Sequence, residues 1–346
     1  LIVYLRVATS IPSLSNLKKE FFMKPFKLIA RLLALACTIG LLSAPAVAQN
    51  KKVTISQAFQ SMLYLPLYVG INNGYFTQQG LDVTKETAGA PSNALAAVIS
   101  GSAQFSLHGP EWPAIAASKG APVQIVANCV NGAAVWIATT PDFKFSSIKD
   151  LKGETIVTGQ MPTTSTSLLI KLLKENGLDP EKDVKLLQVP LGTEIGAFTA
   201  GQGKVAVMYE PGLDQAVAKG MKVVLGFPKL YGPYAFSAIT TRTDADPVTV
   251  QKFVNGMELA LRSIRNDPAG AVIIAKKEFP TLDPVVVENA VKRMIEDKVY
   301  PSSVEITAPA LKVAMDTQIA LGNLAAQPVY EKFIVPTYIK SALTVK

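Results

Sequence analysis

The chain has 346 residues, 49% hydrophobic, 17% charged and 8% aromatic, with 34 basic side chains against 26 acidic ones and a single His. Low charge without a sustained period excludes a disordered chain, a collagen-like repeat and a coiled coil. Two cysteines exclude a disulfide scaffold and, with one His, leave little for metal or triad chemistry, so no metal and no cofactor is expected.

The net charge of +8 overstates the basic character. Residues 1–48 carry Arg6, Lys18, Lys19, Lys24, Lys27 and Arg31 against Glu20; without these six and one, 28 basic residues face 25 acidic ones, interspersed along the chain. Nothing in that pattern supports nucleic-acid binding. At about 100–200 residues per domain, the length predicts two domains.

Met23 opens a segment with the pattern of a secretory signal, residues 23–48. Lys24, Lys27 and Arg31 give the positive start, Leu32 to Leu42 the apolar run, and Ala46-Val47-Ala48 the small-x-small cleavage site, which places the mature start near Gln49. The apolar run is too short for a membrane anchor, which needs roughly 20 residues. Cys37 raises the alternative of a lipoprotein, but Ala34 stands where such signals have Leu, and cleavage there would leave an apolar tail. Residues 1–22 read as an extension upstream of the natural start. The mature chain then holds one cysteine, Cys129, expected as a buried apolar residue at a strand end, and relies on core packing for stability.

From Val53 onward, β-rich runs alternate with helical patterns. Strands are predicted at Val53–Ala58, Leu81–Glu86, Gln104–Leu107 and Val123–Cys129, with helices at Pro66–Asn73, Ser92–Ser100 and Glu111–Lys119 between them. Gly74, Gly101 and Gly120 follow these helices where C-cap glycines belong. A second series has strands at Val135–Thr139, Thr155–Thr158, Val184–Val189, Val205–Tyr209 and Lys222–Leu225, with helices at Thr164–Asn176, Gly192–Ala200 and Pro211–Lys219. One more strand fits Ala235–Thr240, and Pro247–Lys346 is mostly helical with prolines as punctuation. Repeated βα units predict α/β domains with largely parallel sheets. The late helices lack a sheet of their own, so they are expected to pack on the first domain. Lobe 1 is then residues 49–133 and 231–346, and lobe 2 is residues 134–230. In such folds ligands bind beyond the carboxyl ends of the strands, which places a ligand between the lobes.

Several loops carry a resemblance. Leu63-Tyr64-Leu65-Pro66-Leu67-Tyr68-Val69-Gly70, Asn73-Gly74-Tyr75-Phe76 and Gly80-Leu81-Asp82-Val83 resemble the opening of periplasmic binding proteins of ABC importers. The family is that of the nitrate/sulfonate/taurine and thiamine-pyrimidine-precursor binding proteins. Ser100-Gly101-Ser102-Ala103-Gln104-Phe105, Ile148-Lys149-Asp150-Leu151-Lys152-Gly153 and Tyr209-Glu210-Pro211 fit the same family, and the likeness runs from Val53 to about Leu225. It implies a two-lobe type II binding-protein fold with a ligand cleft between the lobes, hinge closure on a small molecule, delivery to a membrane permease and a monomeric periplasmic protein. The sequence departs from the family at the substrate loop: thiamine-precursor binders have Trp-Pro-Asn and a His near the first helix, where this chain has Gln60-Ser61-Met62-Leu63-Tyr64.

Candidate ligand residues lie in the loops after strands. Ser61, Met62 and Tyr64 follow the first strand, where Tyr64 either stacks on a planar ligand or packs on the first helix. Ser92 or Asn93 either caps a helix whose free N–H groups face the cleft or caps it without ligand contact. His108, Glu111 and Trp112 belong to His108-Gly109-Pro110-Glu111-Trp112-Pro113, an abrupt strand-to-helix loop; Glu111 also suits a helix N-terminus, and Trp112 a core. Trp136 forms an aromatic wall or anchors its sheet. Gln160, Thr163, Thr164 and Ser165 run from strand into helix and match where the family grips its ligand from lobe 2. Glu210 ends a strand before Pro211 and occupies a position the family uses in the cleft. The lobes are expected to be joined by two crossings, near residues 131–135 and 226–234, and Tyr231 and Tyr234, in or beside the second, are hinge or cleft candidates.

No Lys or Arg occurs in 53–84, 87–118 or 154–170. An anion would depend on helix N-termini, and Glu111 and Glu210 would oppose it. The expected ligand is therefore a neutral or cationic nitrogen heterocycle, with a sulfonate, taurine or nitrate-type anion as the alternative. No enzyme is expected; the less favoured third reading is one, through a resemblance to a fungal branch that makes a thiamine pyrimidine using its own His, which points to His108. Gly201-x-Gly203-x-x-Ala206 mimics a dinucleotide fingerprint, but it follows a helix and precedes a strand, the wrong order.

Overall fold

Among the described residues, ten strands form where short apolar runs lie between turns. The computed structural model describes residues 49–346; the signal segment, the extension ahead of it and Cys37 lie outside the described residues. The strands are β1 (Lys51–Gln57), β2 (Leu81–Thr87), β3 (Phe105–His108), β4 (Val123–Asn131), β5 (Trp136–Thr139), β6 (Thr155–Gly159), β7 (Lys185–Val189), β8 (Val205–Met208), β9 (Lys222–Gly226) and β10 (Ala235–Arg242).

The strands make two five-stranded sheets, β2-β1-β3-β10-β4 and β7-β6-β8-β5-β9. The orders are the same if β10 and β5 are taken as equivalent fourth members. We call each sheet with its covering helices a lobe. Largely parallel sheets were expected; both are mixed. β1 pairs in parallel with β2 and β3, and β6 with β7 and β8, whereas β10 is antiparallel to β3 and β4, and β5 to β8 and β9. The reason is topological: β10 and β5 are the strands reached by crossing between the lobes, and each enters its sheet from the opposite direction. The crossings lie side by side, the Gly132 N–H donating to the Tyr234 carbonyl (2.9 Å) and the Phe227 N–H to the Val135 carbonyl (3.0 Å).

The first-lobe core is built around an aromatic stack. Phe105 of β3 stacks on Phe253 (ring centroids 4.0 Å), and Phe253 on Phe76 (4.7 Å). Gly70 and Gly256 flank Phe76 so closely that an added Cβ would come within 2.6 Å and 2.4 Å of its ring. This seats helix Pro247–Asn266 on helix Leu65–Asn72, so the long C-terminal helix is fixed to the first sheet by shape. Cys129 is fully buried with its thiol free, and burial pushes that thiol well above its ordinary pKa. Among the described residues no helix is long and apolar enough to cross a membrane, and no cluster of His, Cys, Asp and Glu could hold a metal ion.

Candidate ligand-binding site

The carboxyl ends of β1, β3, β6 and β8 face one another across the gap between the lobes. Each runs into a loop and then a helix, which aims short polar segments into the gap. From β3, Pro110 precedes helix Glu111–Ser118, so Glu111 stands in its first turn. From β6, Thr163 caps helix Thr164–Glu175 in extended conformation.

Glu111 and Thr164 meet there: the Thr164 hydroxyl donates to Glu111 Oε1 at 2.8 Å, joining the two lobes. Burial pushes the Glu111 carboxyl up to about 7, against the opposing hydrogen bonds from its own N–H and Thr164. Beside it the Trp112 Nε1–H is buried with no partner. Around both lies an aromatic cluster drawn from the two lobes. Phe59 packs on Tyr64 (5.5 Å) and Tyr209 (5.6 Å), and Tyr209 on Phe236 (6.0 Å). Tyr64, Glu111, Trp112, Thr163 and Thr164, all expected from the sequence, line one space of about 20 Å³ with Phe59, Tyr209, Phe236 and Ser237.

A neighbouring space of about 80 Å³ is lined by Phe59, Tyr209, Glu194 and Glu210 among others. Glu194 begins helix Glu194–Thr199; its Oε1 has no partner, and burial pushes its carboxyl up to about 7. Neither space is lined by a Lys or Arg.

The other expected residues stand elsewhere. Ser61 and Met62 bind the backbone of the second lobe, the Ser61 hydroxyl (2.8 Å) and the Met62 N–H (3.3 Å) both donating to the Glu210 carbonyl. Ser92 is exposed and caps nothing: helix Pro91–Ser100 starts at Pro91 after Ala90, and Asn93 bonds back to the Ala88 carbonyl. His108 is fully buried, between the Ser106 hydroxyl (Nε2, 2.9 Å) and the Gly109 carbonyl (Nδ1, 3.0 Å). That carbonyl only accepts, so Nδ1 carries the proton and Ser106 donates to Nε2. Trp136 is an anchor, its indole N–H donating to Asp297 Oδ2 at 2.9 Å. Gln160 is exposed. The Ser165 N–H, expected free at a helix start, is taken by the Tyr209 hydroxyl at 3.1 Å.

Glu210 turns its carboxylate to Arg293, whose Nε donates at 2.8 Å, and to the Asp214 N–H (3.0 Å); Arg293 also reaches Asp214 at 2.6 Å. Burial and the Asp214 charge push Glu210 up to about 8, against the pull of Arg293. Arg293 lies on helix Pro284–Glu296, which packs on helix Gly212–Ala218 of the second lobe. Tyr209, Phe59 and Glu194 were not expected. Tyr209 falls inside a motif already singled out, but its neighbour Glu210 draws the eye. Phe59 reads as strand-end packing. Glu194 is a lone carboxylate on an otherwise apolar short helix, a signal that could have found it.

The family model described as NMT1/THI5 like matches residues 62–271. The Bacillus subtilis (strain 168) protein YtlA, named as a binding protein, is 27% identical over 260 residues, covering 72% of this chain and 77% of its own. A protein of Halalkalibacterium halodurans named formylaminopyrimidine-binding protein is 28% identical over 179 residues, covering 51% of this chain and 53% of its own. The alkanesulfonate-binding protein SsuA from Xanthomonas axonopodis pv. citri, solved with MOPS bound, superposes with a TM-score of 0.68 at 20% identity over 83% of this chain and 99% of that one. The desulfurization enzyme DSZB shares the fold too, with a TM-score of 0.64 at 12% identity over 85% of this chain and 99% of that one.

Proposed function

This chain belongs to the NMT1/THI5-like family, and from that premise we propose that it is the solute-binding component of an ABC importer. In this reading it is secreted to the periplasm, closes its lobes on a small molecule and delivers it unaltered to a membrane permease. The relative named as a binding protein and the one named for a formylaminopyrimidine support the binding role.

The observation that carries the ligand class is Glu111, a buried carboxylate at the lobe junction with an unpartnered indole N–H beside it and aromatic rings around it. A planar nitrogen compound, neutral or cationic, would stack on Tyr64 or Tyr209 and donate N–H to Glu111. An anion of the sulfonate or nitrate kind would face Glu111 and Glu194 with no cation lining either space, and Arg293 is already held by Glu210 and Asp214. Its remaining support is the helix N-terminus at Thr164, one of whose N–H groups Tyr209 occupies.

The 20 Å³ space is room for about one water molecule. A ring-sized solute therefore enters only when Tyr209 withdraws from Phe59 and Phe236, a rotation of one lobe against the other about the paired crossings. Closure then follows from the ligand's preference for the state in which both lobes touch it.

Thermal-shift screening tests the reading, since a ligand at about 100 times its dissociation constant adds roughly 2.7 kcal/mol. Pyrimidines and cationic heterocycles are expected to raise the melting temperature, and sulfonates, taurine and nitrate to leave it unchanged. Stabilisation by the anions alone overturns the ligand class. Turnover of a stabilising compound overturns the transport reading in favour of an enzyme, the other activity this fold hosts.

A further inference from the structure

We propose a second small-molecule site, behind the lobe crossings and separate from the cleft, for a small anion with an apolar body such as a medium-chain carboxylate. A cavity of about 350 Å³ opens between helix Pro247–Asn266, the end of helix Pro284–Glu296 and the segment that follows it. That volume lies in the usual range for small-molecule pockets, which neither cleft space reaches. Leu261 and Ile264, both buried, and Ile295 line it with apolar surface; Arg265 and Lys298 add two cations. No acidic residue lines it. Among the described residues neither cation takes part in an ion pair.

Lys298 supplies an independent argument. Helix Pro284–Glu296 ends in a turn in which the Val299 N–H bonds the Met294 carbonyl (2.9 Å) and the Lys298 N–H the Ile295 carbonyl (3.0 Å). This turn requires a left-handed residue, for which glycine is the ordinary choice. Lys298, at φ 54°, is the only non-glycine residue with positive φ among the described residues. The chain thus holds a strained backbone at the one left-handed turn where it places a long cation against a cavity.

The cavity also touches the elements that join the lobes. Asn131, at the end of β4, lines it and donates its N–H to the Val299 carbonyl at 2.8 Å. Tyr300 lines it too, and its hydroxyl donates to the Met62 carbonyl (2.8 Å), in the loop that carries Tyr64. A bound anion would therefore rest on the first crossing and on the back of the cleft wall.

Calorimetric titration of the purified protein with octanoate tests this, with octanol as the uncharged probe. Octanoate is expected to saturate one site and octanol to bind at least about tenfold more weakly. Lys298→Gly is expected to weaken octanoate at least about fivefold while the melting temperature holds or rises, because glycine relaxes the turn. Arg265→Gln is the second variant, with the same expected direction. Absence of saturation, equal binding of the two probes, or parent-like octanoate binding by both variants overturns the proposal. None of these readouts needs a cleft ligand, so the result stands whether or not the cleft reading holds.

Discussion

Glu111 links protonation to both stability and binding. Its carboxyl titrates at about 7 in the folded chain against an ordinary 4.5, so between those values the native state holds the extra proton. Stability therefore falls as pH rises through that window and stays lower above it. Glu111→Gln keeps an acceptor for Thr164 and removes the titration. The variant should be more stable than the parent by ~1–3 kcal/mol at about pH 8 and equal to it at about pH 4, as read from denaturant melts. Affinity for an N–H-donating ligand should fall at least about tenfold. Trp112→Phe keeps a ring and removes the orphaned N–H. It should leave stability unchanged or slightly raised, and it should weaken any cleft ligand that accepts from the indole by about 3–10-fold, as read by calorimetric titration of that ligand. His108 has the opposite sign: burial pulls it down to about 4 from 6.5, so its contribution is full above 6.5 and is lost as pH falls towards 4.

Helix Pro284–Glu296 and its cap ties the lobes together through charges four positions apart. Arg293 holds Glu210 and Asp214, and Asp297 takes the Trp136 indole and Lys229 (3.3 Å). Arg293→Met leaves two buried carboxylates without their cation and should cost about 3–5 kcal/mol in urea unfolding. Adding Glu210→Gln and Asp214→Asn should restore most of it. None of this tie was legible in the sequence, because Arg293 stands 79 positions from Asp214 and nothing local links them. The ten strands were legible, since apolar runs and glycine-bearing turns are local signals. The direction of β5 and β10 was not, because it depends on which way the chain crosses. The cleft was half legible. Glu111, Trp112 and Thr164 were found because a strand that breaks sharply into a helix aims its first residues outward. Trp136 stood open between wall and anchor because every residue of β5 is buried, so alternation gives no face.

The two lobes are joined by the crossings, by that helix and by the cleft contacts of Glu111 with Thr164 and of Ser61 and Met62 with the Glu210 carbonyl, so the charges on the helix are one of several ties that set their separation. Converting Arg293→Gln and Asp297→Asn together should shift the population towards an open form. A compact chain of the described length has a radius of gyration of about 19 Å; small-angle scattering should show the double variant larger than the parent, and saturating ligand should return it to the parental value. Identical scattering from parent and variant would remove the tie from any part in closure.

The position of β10 also orders events during synthesis. It lies between β3 and β4, so β4 has no other strand beside it. As the chain leaves the ribosome, β1 to β4 emerge first, yet the sheet they belong to keeps a gap until all of β5 to β9 has followed. The second lobe can mature on its own strands, while the first waits for a piece encoded more than a hundred positions after β4 begins. An emerging chain therefore keeps its first sheet unfinished until the whole of the second lobe has been made.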